Sequence, residues 1–373
     1  MRIQSLRLHR LNMPLVRAFE TSFGRQTVRD VLLVQIETDA GEGWGECVAG
    51  ADPVYSAEYV DGCQHVIEHH LAPALIAASR SSEAGIIAED LESLFAFVIG
   101  HRMAKAAIEA AVLDAQLRAA GLSFGTYLGA TRAEVDCGVS VGIADSIDEL
   151  LAEVAEYVDE GYRRIKLKIR PGWDLSPVRA VRNLIGARML LQVDANTAYT
   201  VADIDHLRRL DEFDLVLIEQ PFVEDNIRDH VTLAHAIDTP VCLDESITTV
   251  GVAIDAIERD ATSIVNIKPG RVGGYIEAVR IHDACVLRDV RVWCGGMLET
   301  GIGRAANVAL AGLPGFRLPG DTSASARYYA EDLTEPFVLV DGRLRVPTGP
   351  GNGVEVRRDL VAAWATRPVL LVR

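Results

Sequence analysis

The chain has 373 residues, of which 49% are hydrophobic and 24% charged, a composition that excludes disorder as its main state. The length fits two or three domains of about 150 residues, or one α/β barrel of about 250 residues plus a smaller domain. A net charge of −16 argues against phosphate backbones and anionic membrane surfaces as partners. The six cysteines form no CxxC pair and are expected to be free thiols, as in a cytoplasmic protein. The opening residues MRIQSLRLHRLNMPLV lack the apolar run of a secretory signal. No stretch of about 18 apolar residues exists to span a membrane.

In chain order, residues 1–50 read as strands: one around Ile3, Leu6 and Leu8, a second at Val31–Ile36, and a third at Gly43–Cys47 after a turn at Asp39–Gly41. Residues 56–125 read as helices. The Ala-rich Met103–Ala120 is followed by Gly121 where a C-terminal cap belongs. From about 135 onward, strands and helices alternate. Strands are predicted at Cys137–Ile143, Arg164–Ile169, Met189–Val193, Leu215–Ile218, Pro240–Leu243, Ser263–Ile267, Val290–Cys294 and Phe316–Leu318, with helices such as Ile147–Glu160 and Ile204–Leu210 between them. Lys168, Asp194, Glu219, Asp244 and Lys268 close successive strands at intervals of 26, 25, 25 and 24 residues, the mark of a repeated βα unit. The expected fold is therefore α/β: a (β/α)8-type TIM barrel over 131–324 with an N-terminal α+β capping domain at 1–130. The segment 325–373 is expected to pack back on the capping domain and complete it.

Side chains at the C-terminal strand ends of such a barrel point into its mouth. Asp194, Glu219 and Asp244 would converge there and repel one another unless a cation sat among them, and an all-oxygen set suits Mg2+, for which Mn2+ could substitute. None of the nine histidines falls at these strand ends, which argues against zinc. Lys168 and Lys268 end strands four apart in an eight-strand ring and would face each other over the metal, with Lys166 on the same side of its strand as Lys168. Crowded cations and desolvation are expected to lower the lysine pKa values, as a lysine general base requires. The chemistry this suggests is removal of a proton α to a metal-bound carboxylate, through an enediolate.

The segments Lys166-Leu167-Lys168, Asp194-Ala195-Asn196, Ile218–Phe222, Leu243–Ser246 and Asn266–Gly274 resemble the muconate-lactonizing-enzyme subgroup of the enolase superfamily. Gly295–Arg304, Asp321–Ser325 and Val346–Gly351 are most similar to its o-succinylbenzoate synthase / N-succinylamino acid racemase family. The resemblance implies dehydration to o-succinylbenzoate in menaquinone biosynthesis, racemisation of N-acylamino acids, or both. In dehydration Lys168 would take the α proton while Lys268 stabilised the enediolate. In racemisation each lysine would serve one face. It also implies that loops at Phe19–Gly24 and Gly50–Tyr55, with Phe23 and Tyr55, shape specificity, and that Ser140, Asn196, Gly296 and Met297 line the substrate pocket. Arg271 could also reach that pocket. The implied partner is a small-molecule carboxylate, with no nucleic acid and no membrane, and the implied assembly a homo-oligomer.

Other readings compete. A dipeptide epimerase would carry paired aspartates at the eighth strand, where this chain has Asp321-Thr322-Ser323, while muconate cycloisomerisation stays open. Gly138–Gly142 fits the GxSxG elbow of serine hydrolases, yet Val139 and Val141 alternate as in a strand. Gly301–Ala306 fits a dinucleotide fingerprint, but it falls late in the barrel repeat.

Overall fold

The computed structural model describes residues 1–373. Its first sheet is an antiparallel meander of β1 (Ile3–Thr21), β2 (Gly24–Thr38) and β3 (Gly41–Cys47). β1 and β2 run further than their apolar stretches predict. Past a register shift between Pro14 and Phe19, where proline cannot donate to the ladder, pairing resumes and closes at Thr21↔Gly24. The expected Phe19–Gly24 loop is thus a hairpin tip.

Helices follow at Val60–Val66 and Ala72–Ser81, joined by a π-helical turn, and then at Arg102–Ala120. The last lies directly on β3. A Cβ on Gly43 or Gly45 would collide with the carbonyl oxygen of Ala111 or Ala107, so these two glycines permit the close approach that the helix's alanines offer from the other side. Gly121 ends the helix at φ +67°, its N–H bonded to the carbonyls of Leu117 and Arg118.

β4 (Glu134–Asp136) leads into a parallel sheet of β5 (Gly138–Val141), β6 (Arg164–Lys168), β7 (Leu190–Asp194), β8 (Ile218–Glu219), β9 (Val241–Leu243), β10 (Ile264–Ile267) and β11 (Arg291–Cys294). The seven strands lie in sequence order, every neighbouring pair parallel. Every residue of β5, β6, β9 and β10 is buried, as expected of a parallel sheet covered on both faces. The predicted strand Phe316–Leu318 is not a regular one. Single parallel bridges tie Phe316 to Val292 of β11 and Gly320 to Cys137 beside β5, and Pro319 between them has no N–H to extend a ladder. The predicted helix Ile204–Leu210 is α-helical only at Ile204–Leu207, with 3-10 turns on either side.

The C-terminal segment divides between the two layers. β12 (Arg343–Arg345) pairs with β4, while β13 (Leu370–Val372) pairs with β1. Tyr328, Tyr329, Leu333 and Val361 share a core with Leu11, Met13, Val31 and Leu33 of the first sheet. All six cysteines are free and buried, and no helix is long and apolar enough to cross a membrane.

Because β3 and its helix meet backbone to backbone, Gly45→Ala should lower the unfolding free energy by about 2–3 kcal/mol, measured by urea denaturation. A change under about 0.5 kcal/mol would mean that the helix shifts freely.

Candidate active site

Strand register brings the expected ionisable groups to one end of the sheet. Lys168 on β6 pairs with Asp194 on β7, and Asp194 pairs with Glu219 on β8. Asp244 and Lys268 stand one residue past β9 and β10. The three carboxylates are wholly buried, and the three lysines nearly so.

Lys166 is the hub. Its Nζ lies 2.6 Å from Asp321, 3.2 Å from Glu219 and 3.3 Å from Asp194, and sits over the Trp293 ring. Lys168 donates to Asp194 at 2.7 Å and to Asn196 Oδ1 at 2.6 Å. Asn196 in turn donates to Glu245 at 2.9 Å. Lys268 donates to Asp244 at 2.7 Å and lies over the ring of Tyr55, whose hydroxyl donates to Asp244 at 3.0 Å.

The lysine pKa values separate. Burial, helped by the charges of Lys166 and Lys268, pulls Lys168 below its ordinary value against Asp194. Burial also opposes the charge on Lys268 and Lys166. For Lys268 it is outweighed by Tyr55, Glu219, Glu245 and Asp194, and for Lys166 by Asp321, Glu219 and Asp194, so both stand above the ordinary range. The expectation of lowered values holds for Lys168 alone, because only there do neighbouring cations add to desolvation without enough carboxylates to offset it. Burial, then Asp194, raises Glu219 and lifts Glu245 to about 7. Burial also opposes the charge of Asp194, but Lys168 and Lys166 hold it well below the usual carboxylate range.

The donors suit a hard divalent cation. Asp194, Glu219 and Asp244 offer only oxygen from adjacent strand ends, and Glu245 keeps one buried carboxylate oxygen with no hydrogen-bond partner. They do not meet at a single point, as the strand-end spacing suggested. No three His, Cys, Asp or Glu side chains form a ready metal cluster. Asp194 and Glu219 share Lys166, whereas Asp244 is turned to Lys268 and Arg271.

Lys166, Lys168 and Lys268 line a cavity of roughly 430 Å3, together with Ser140, Asn196, Gly296, Met297, Phe23 and Tyr55. Arg271 is not in that wall. It is buried behind Asp244 and bonded to it and to the carbonyls of Ile247 and Asn266, since the turn after Lys268 directs it under the strand ends. Ser140 lies inside β5 with its hydroxyl unpartnered, which leaves no base to activate it as a nucleophile. Gly301–Ala306 is the first turn and a half of helix Gly301–Ala311. Asp321, the acid a dinucleotide site would need, is committed to Lys166 and Arg164.

Three site residues stand in the resembling segments but carry no expected role there. Asp321 sits 2.8 Å from Arg164 as well as beside Lys166. Asn266 donates to Glu219 at 2.7 Å, and Glu245 closes the Asn196 bond. Asp321 lies outside the 25-residue spacing, but Asn266 is two residues before Lys268 on the same strand face, which the alternation of a strand could have flagged.

Asp321 faces two buried cations and is the only carboxylate paired with Arg164, so Asp321→Asn should destabilise the protein by about 3–5 kcal/mol in chemical denaturation. The Arg164 and Lys166 charges hold the Asp321 carboxyl well below its ordinary 3.8, against the effect of burial. The deficit should therefore be full above that pH and narrow only in more acid solution. An unchanged unfolding midpoint would mean that water serves both cations instead.

Two family models match the chain: "Mandelate racemase / muconate lactonizing enzyme, N-terminal domain" over residues 5–129 and "Enolase C-terminal domain-like" over 149–360. An N-succinylamino acid racemase from Amycolatopsis is 60% identical over 369 residues, covering 99% of each chain. An o-succinylbenzoate synthase from Geobacillus kaustophilus is 44% identical over 364 residues, covering 97% of this chain and 96% of the relative. The crystal structure of an enolase superfamily member from Listeria innocua superposes with a TM-score of 0.93 at 37% identity, over 100% of this chain and 99% of the other.

Proposed function

The chain belongs to the enolase superfamily, in the mandelate racemase / muconate lactonizing enzyme family, and on that premise we propose that it removes the proton α to a carboxylate in succinyl-bearing substrates. The reactions are racemisation of N-succinylamino acids and the dehydration that yields o-succinylbenzoate. The names of the two relatives support this pair. The observation that carries it is the pair of buried lysines, Lys168 and Lys268, which reach one cavity from strands four apart in the sheet order. We read the parallel sheet and its bridges through 316–320 as a (β/α)8-type barrel over 131–324, capped by 1–130 and completed by 325–373.

A divalent cation, Mg2+ or Mn2+, held by Asp194, Glu219 and Asp244 would offset the negative charge that develops on the substrate carboxylate. Lys168, whose ammonium is the most easily deprotonated of the three, takes the α proton from one face. Lys268 stands on the opposite face. In racemisation it exchanges the proton there; in dehydration it remains cationic and stabilises the anion, while the hydroxyl leaves as water with the proton returned by Lys168. Lys166 keeps the charges of Asp194 and Glu219 in register. Tyr55 holds Asp244 and excludes water from Lys268. An epimerase acting on a free ammonium group fits less well, because Asp321 is already shared between Lys166 and Arg164.

The purified protein, assayed with Mg2+, should turn over both substrate types. EDTA should abolish turnover, and Mg2+ or Mn2+ should restore it. Inactivity toward both substrates would refute the assignment.

The two faces can be separated in D2O. Lys168→Arg should lose solvent exchange of the α proton from one enantiomer of an N-succinylamino acid by about 10²–10⁴-fold, and Lys268→Arg from the other, because arginine keeps the charge but cannot accept a proton near neutrality. Racemisation should fail in both variants. Near wild-type racemisation in either would contradict the two-base mechanism.

A further inference from the structure

One buried cation in the cavity wall lacks an anionic partner. Arg29, on β2, is 2% exposed and lines the same cavity as Lys168 and Lys268. Its guanidinium makes one hydrogen bond, from Nη2 to the carbonyl of Val48 at 2.7 Å, and its Nε is buried without a partner. No carboxylate comes within ion-pair distance. The other buried cations of the cavity differ: Lys166, Lys168 and Lys268 each lie within 2.7 Å of an aspartate. Arg25, at the rim, is more than half exposed and faces Glu20 and Asp145. Glu46 feels the charge of Arg29 but forms no ion pair with it, and it is already engaged by the Thr300 hydroxyl at 2.7 Å and by the N–H groups of Thr300 and Gly303.

A desolvated guanidinium with unfilled donors is costly unless something supplies the missing anion. Its planar fork matches a carboxylate in two-point geometry. Arg29 shares its strand face with Val31 and Leu33, which pack toward Tyr328 and Tyr329, so the side chain hangs from the first sheet over the cavity rather than among the strand-end lysines. The proposed reactions involve only the carboxylate next to the reacting carbon. The two relatives' names nevertheless share a succinyl group, and with it a second carboxylate.

We propose that Arg29 receives this second, distal carboxylate and sets the preference for dianionic, succinyl-bearing substrates. The proposal rests on the function given above and adds a specificity-determining residue to it.

The test compares an N-succinylamino acid with the N-butanoyl derivative of the same amino acid, which keeps the arm's length and lacks its charge. Wild type should favour the succinyl compound in kcat/KM, and Arg29→Met should lower that preference about 30-fold or more, with Arg29→Lys recovering part of it. Calorimetric titration of the same two compounds into the Mg2+-loaded protein should show the same fall in the affinity ratio. Loss of both activities in parallel, with the ratio intact, would reduce Arg29 to a structural cation and overturn the proposal. So would an unchanged ratio in a folded variant. If Arg29→Met fails to fold, Arg29→Lys carries the same comparison. Absence of wild-type turnover of either compound would refute the assigned reaction, while the calorimetric ratio would still decide the role of Arg29.

Discussion

Burying a charge costs several kcal/mol unless an opposite charge lies within reach, and that constraint organises the mouth of the parallel sheet. Asp194, Glu219, Asp244, Glu245 and Asp321 are buried there with Lys166, Lys168, Lys268, Arg164 and Arg271. The groups interlock, each aspartate held by at least one cation. Lys166 stands between Asp194 and Glu219 on one side and Asp321 on the other, so it ties β6, β7 and β8 to the segment after Gly320. The cluster therefore acts as a fastening between strands as well as a site. With formal charges in balance, a divalent cation would bring the cluster to +2, a state suited to an anionic substrate.

The first sheet and the helix Arg102–Ala120 packed on it are locked to the parallel sheet by carboxylates of a different kind. Glu46 on β3 accepts hydrogen bonds from the start of helix Gly301–Ala311, and Glu109 accepts them from Tyr275 and Ile276 at the start of the helix after β10. Each places a buried acceptor on the unpaired N–H groups of a helix end. Burial lifts both carboxyls to about 7 despite these bonds. The helix that Glu46 caps begins at Gly301, three residues after Leu298 of the cavity wall. The seating of the first sheet and the shape of the cavity are thus one mechanical problem.

Much of this was readable in the sequence because the polar residue at each strand end repeats with the βα unit. The spacing located Lys168, Asp194, Glu219, Asp244 and Lys268 without any knowledge of register. Where distant segments meet, sequence reasoning lost its purchase. Asp321 belongs to a segment joined by isolated bridges, and its tie to Lys166 spans 155 residues. Arg271 sits in a turn whose direction no periodicity reports. The raised pKa of Lys268 depends on Tyr55 arriving from the connection after β3, 213 residues away in sequence. Arg29 is invisible to motif reasoning, since only the cavity reveals that a strand-borne arginine has no partner.

The wall of that cavity divides by origin. Its three lysines come from the parallel strands and their ends, whereas more than half of the lining comes from residues 19–55 of the first sheet and its connections. A proton can leave the α carbon by the same path whether the anion then regains a proton or expels water. On the proposed mechanism, Lys168 and Lys268 therefore do not decide between racemisation and dehydration. On that mechanism the decision would fall on how the rest of the substrate is held against β1, β2 and the Gly50–Tyr55 segment, where the β1–β2 pairing is interrupted by a register shift. Substitutions there can redirect the substrate without disturbing a charge cluster that would punish any single change. The fold thus separates the part of the site that must remain fixed from the part that can vary.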